Sequence, residues 1–60
     1  LYPWEKVYFN KINETIDNYD YDKSKELIEN TPFLISYSSK VKYDLLKIQY
    51  YLTFESDPKN

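Results

Sequence analysis

The chain has no cysteine, histidine, arginine, methionine, glycine or alanine. Each absence removes a class of structure or chemistry. Without cysteine no disulfide can staple the fold, and nothing bears on redox compartment. Without histidine or cysteine the usual nitrogen and sulfur ligands of zinc are missing. Without glycine, a turn that needs positive φ must fall on Asn or Asp. That argues against a hairpin-rich β fold and against a glycine loop cradling phosphate. No apolar run approaches the ~18 residues of a membrane span. The opening LYPWEKVYFN lacks the basic end and apolar core of a signal peptide. A cytoplasmic setting with no membrane contact is therefore expected. The missing methionine at position 1 suggests a piece of a longer chain.

What is present fits one small domain, residues 1–60. A chain this short buries only about 60% of the surface its unfolded form exposes, so it needs a staple or a partner. With disulfide and zinc excluded, the extra stabilisation is expected from another chain. The net charge is −2 and every cationic side chain is Lys. That balance favours neither nucleic acid nor an anionic membrane.

Three amphipathic segments follow from the apolar spacing. In the first, Pro3 is suited to the first helical position. Trp4, Tyr8, Ile12, Ile16 and Tyr19 recur at steps of four, four, four and three, and Val7 and Phe9 widen the stripe. The spacing predicts a helix over roughly 3–18, with Asn18 taking the left-handed conformation that ends it. In the second, Asp20 can cap the free N–H groups of a helix over about 20–30. Tyr21, Ser24, Leu27, Ile28 and Thr31 line one face, and small Ser24 marks the closest approach to the first helix. In the third, Thr31 and Pro32 offer a cap and a first helical residue. Leu34, Tyr37, Val41, Leu45, Ile48 and Leu52 step by three, four, four, three and four, which predicts a helix over roughly 34–54. The SYSS stretch forms helix weakly, so a start near Ser36 or Ser38 with 32–35 as an apolar connector is the alternative. Leu46, Tyr50 and Tyr51 lie off that stripe and imply a second neighbour. The expected fold is all-α, a helical hairpin plus a third helix. Trp4, Tyr8, Ile12, Ile16, Leu27, Ile28, Val41, Leu45, Ile48 and Leu52 are expected to carry its packing.

Candidate chemistry is sparse. Asn18, Asp20, Asp22 and Glu29 fall at positions 1, 3, 5 and 12 of a calcium-loop spacing. Lys23 occupies the place where that loop needs glycine, so a capped hairpin corner is the better reading and no metal is expected. Asp20 and Asp22 lie in a solvated turn where nothing raises a carboxyl pKa for acid–base work. Ser36, Ser38 and Ser39 have no histidine to activate them. No catalytic residue and no cofactor is expected. Lys40, Lys42, Tyr43 and Lys47 form the candidate patch for single-stranded nucleic acid. Asp44 among them reads instead as an ordinary solvated helix face with local ion pairs.

The stretch INETIDNYDYDKSKELIEN resembles the middle of a tetratricopeptide-type repeat. Tyr21, Ser24 and Ile28 match the aromatic, small and large positions of that family's second helix. Trp4, Tyr8, Ile12 and Thr15 depart from its first-helix signature, and Ser24 stands where Ala is usual. An aromatic–acid–any–Asp pattern ends in Asp22 and again in Asp57, 35 residues on, close to the ~34-residue period of such arrays. The style is similar to the helical-repeat domain of peptide-sensing transcription regulators of the Rgg and PlcR type. It is also similar to the helical domain of Csm-type CRISPR-associated ribonucleases. The second resemblance implies a parent that cleaves RNA in antiviral defence through residues outside this chain. The expected function is interaction, as scaffold, dimerisation element or peptide binder. The partner is another protein chain, a second copy or a peptide. Tyr50, Tyr51, Leu46 and Trp4 are the expected contact residues.

Overall fold

The computed structural model describes residues 1–34 and 36–56. Three helices pack together, α1 (Pro3–Asp17), α2 (Tyr21–Glu29) and α3 (Tyr37–Tyr50), and α3 runs on into a π-helical turn (Tyr51–Glu55). No strand occurs among the described residues. The fold is all-α, as the apolar spacing predicts. Asp57, which ends the second aromatic–acid pattern, and the rest of the tail turn, 58–60, lie outside the described residues.

Helix α1 starts as expected at Pro3. Its first turn is closed from within, because the Glu5 carboxylate accepts a hydrogen bond from the Tyr2 N–H at 2.9 Å. Glu5 is thereby held inside, 1% exposed. The inward stripe of α1 is Glu5, Phe9, Ile12 and Ile16. Trp4, expected in the packing, stays 43% exposed because Glu5 and Phe9 take the inner face beside it.

The α1–α2 corner corrects one expectation and meets two. Asn18 keeps negative φ, and Tyr19 is the left-handed residue at φ 55°. The Tyr19 N–H donates to the Ile16 carbonyl at 3.0 Å and the Asp20 N–H to the Thr15 carbonyl at 2.9 Å. This is the paired-bond Schellman ending, in which a residue just past the cap must turn left-handed. The ring of Tyr19 points to solvent, so it takes that position at a backbone cost and no packing gain. Asp20 caps α2 as expected, accepting from the Lys23 N–H at 3.2 Å. Ser24 is buried against α1 and its hydroxyl donates to Thr15 Oγ1 at 2.8 Å. A larger side chain there would hold the helices apart.

Helix α3 takes the later of the two starts. Thr31 does not cap it, because its hydroxyl turns back to the Leu27 carbonyl of α2 at 2.9 Å. Ser36 is the cap, accepting from the Ser39 N–H at 3.2 Å. Leu34, in the connector, is buried. A connector without helical hydrogen bonds lets Leu34 reach the core before α3 begins.

The larger correction concerns the rotation of α3. Leu46 is 3% exposed, while Leu45, Ile48 and Leu52 are 58%, 56% and 65% exposed. The face expected to pack, Val41, Leu45, Ile48 and Leu52, is therefore outside, and Ser39, Tyr43, Leu46 and Tyr50 face inward. Two features select that face. Ser39 is small enough for close approach and is fully buried. The Tyr43 hydroxyl donates to the Ile28 carbonyl at 2.9 Å, and a hydroxyl can enter a core only when it finds such a partner.

The same device recurs on the other side of α2, where the Tyr8 hydroxyl of α1 donates to the Leu27 carbonyl. The last carbonyls of a helix have no partner within it. Here tyrosines from α1 and α3 bond two of them and tie three helices at one end. At the other end Tyr21 of α2 stacks on Tyr50 of α3, centroids 6.1 Å apart. Phe54 of the π turn meets both rings at 5.5 and 5.6 Å. The helices therefore run up, down and up. The described apolar interior is Phe9, Ile12, Ile16, Ile28, Leu34 and Leu46.

The left-handed Tyr19 gives a direct prediction. A left-handed backbone costs a non-glycine residue about 1–2 kcal/mol, and glycine gives back roughly half of that relief through unfolded-chain entropy. Tyr19→Gly should raise stability by about 0.5–1 kcal/mol in urea unfolding followed by circular dichroism. A loss of stability would show that the Tyr19 ring, not the backbone, decides this corner.

Candidate interaction surface

The four expected contact residues are not brought together. Leu46 is in the core. Tyr50 is half-buried in the cluster with Tyr21 and Phe54. Tyr51 is exposed on the π turn, and Trp4 is partly exposed on α1. The surface the fold does assemble is the outer face of α3 and its π turn. Tyr37, Val41, Leu45, Ile48 and Leu52 are all exposed along it. The sequence shows this stripe plainly. It faces outward because the hydroxyls of Ser39 and Tyr43 find partners at the Ser36 and Ile28 carbonyls and take the inner side of the helix.

The candidate nucleic-acid patch is dispersed. Tyr43 is bonded through its hydroxyl to Ile28, and the Lys47 ammonium lies over its ring at 4.9 Å. The ring is thus engaged at its hydroxyl and on one face, which reduces what it offers a base to stack on. Lys40 and Lys42 are exposed, but a spacing of two sets them far apart around the helix.

The α1–α2 corner holds an open cleft of about 350 Å³, lined by Lys11, Glu14, Asn18, Asp20 and Lys23 among others. Two ammonium groups and two carboxylates offset one another there. Asp20 is already engaged as a cap, and Asp22 and Glu29 are not part of the lining. Among the described residues no group of three or more acidic side chains is placed to hold a metal ion. The sole ion pair among them is Lys23–Glu26 at 3.5 Å, on an exposed turn of α2, where such pairs contribute little.

One residue that sequence reasoning did not single out as titratable is Tyr50. Its hydroxyl is held above the ordinary tyrosine range of about 10, first by desolvation and then by hydrogen bonding with Glu55 and Tyr21. Because the folded-state pKa is raised, the stabilising contribution is complete below pH 10. It is lost as pH rises, since the unfolded chain releases the proton first. The urea midpoint should therefore fall above pH 10, and Tyr50→Phe should make that fall shallower. Identical slopes in the two chains would contradict this account of the cluster.

No family model, curated protein or solved structure matches this chain.

Proposed function

We propose that this chain is a non-catalytic helical interaction module that presents the outer face of α3 to another polypeptide. The observation that carries the proposal is the exposed stripe of Tyr37, Val41, Leu45, Ile48 and Leu52. Single exposed apolar residues are ordinary, but a contiguous stripe along one helix marks a contact site. These side chains are 39% to 84% exposed, and burying what is exposed is worth on the order of 1 kcal/mol apiece. The up–down–up order, with α1 packed on both other helices, also supports a helical-repeat reading. The resemblance to regulators of the Rgg and PlcR type, or to the helical domain of a Csm-type ribonuclease, extends that reading to a larger protein. In either setting this segment would supply contact rather than chemistry. No described helix is long and apolar enough to cross a membrane. Single-strand binding has less support, because Tyr43 is engaged within the fold.

The test is a double variant, Leu45→Glu with Ile48→Glu. Both positions are exposed, so helix content should stay at the wild-type level. Association, with itself or with amphipathic helical peptides, should weaken tenfold or more in calorimetric titration. Wild-type binding should carry the negative heat-capacity change of apolar burial. A wild-type chain that neither self-associates at millimolar concentration nor binds any such peptide would remove the proposal.

A further inference from the structure

We draw no further inference here: the strongest candidate, the exposed apolar face of α3 along Tyr37, Val41, Leu45, Ile48 and Leu52, is an unpartnered helix face, and nothing in the structure shows what covers it.

Discussion

Two tyrosine hydroxyls bonded to the last carbonyls of α2 hold the arrangement of the molecule. Tyr8 reaches Leu27 from α1 and Tyr43 reaches Ile28 from α3. A helix ends with carbonyls that have no partner of their own, and buried carbonyls without partners are expensive. The Leu27 carbonyl also accepts from the Thr31 hydroxyl, and the Ile28 carbonyl from the Thr31 N–H at 3.4 Å. The tyrosines therefore add second bonds to carbonyls already engaged and join α1 and α3 to that end of α2. Each tyrosine brings apolar ring area into the interior and satisfies its hydroxyl in the same placement. Once Tyr43 is committed to Ile28, the rotation of α3 about its axis is set. Leu46 and Tyr50, three and seven positions on, must face inward as well. The side chains opposite them must face out.

That rotation is possible because the core is small. The thinnest dimension is 16 Å against a length of 38 Å, about two helix layers at the ~10 Å diameter of a helix. Among the described residues every helix then has one face with no neighbour. On α1 that face carries charged and polar residues such as Asn10, Glu14 and Asp17. On α2 it carries Asp22, Lys25, Glu26 and Glu29. On α3 it carries the longest aliphatic series in the chain. An outward face of Val, Leu and Ile next to an inward face of Ser and Tyr is the distribution expected when both sides of a helix have contacts to make. The π turn at the end of α3 belongs to the same design. By widening the last turn it seats Phe54 against Tyr21 and Tyr50 and closes the interior without using Leu52.

Much of the first two helices was legible from the residues. Pro3 marks the start of α1, the three- and four-residue steps identify Ile12 and Ile16, Asp20 is a cap by chemistry, and Ser24 is small where helices touch. These are local signals, and local physics decides them. The rest depends on partners distant in sequence. Asn18 is the better left-handed residue in isolation, yet the bonds from Tyr19 and Asp20 back to Ile16 and Thr15 place the bend one residue later. Thr31 and Pro32 are a sound helix start in isolation, yet Leu34 is needed in the core and Ser36 offers a cap further on. The inner face of α3 was misassigned for the same kind of reason. An aliphatic stripe is the stronger signal of burial when counted along one helix, and nothing in that count shows that the Tyr43 hydroxyl finds the Ile28 carbonyl. Glu5 shows the converse, a charged residue taken inside because its carboxylate closes the turn at Tyr2.

The rotation of α3 is the claim from which the interaction surface follows, and adjacent thiols read it directly. Single-cysteine chains carrying Leu45→Cys or Leu46→Cys are treated with a thiol reagent at low micromolar concentration, under conditions where the fold is intact. The structure predicts that Leu45→Cys reacts at close to the rate of an unstructured thiol, while Leu46→Cys is protected by orders of magnitude and reacts only through opening of the fold. Protection at 45 with free reaction at 46 would put the aliphatic stripe inside and contradict the account.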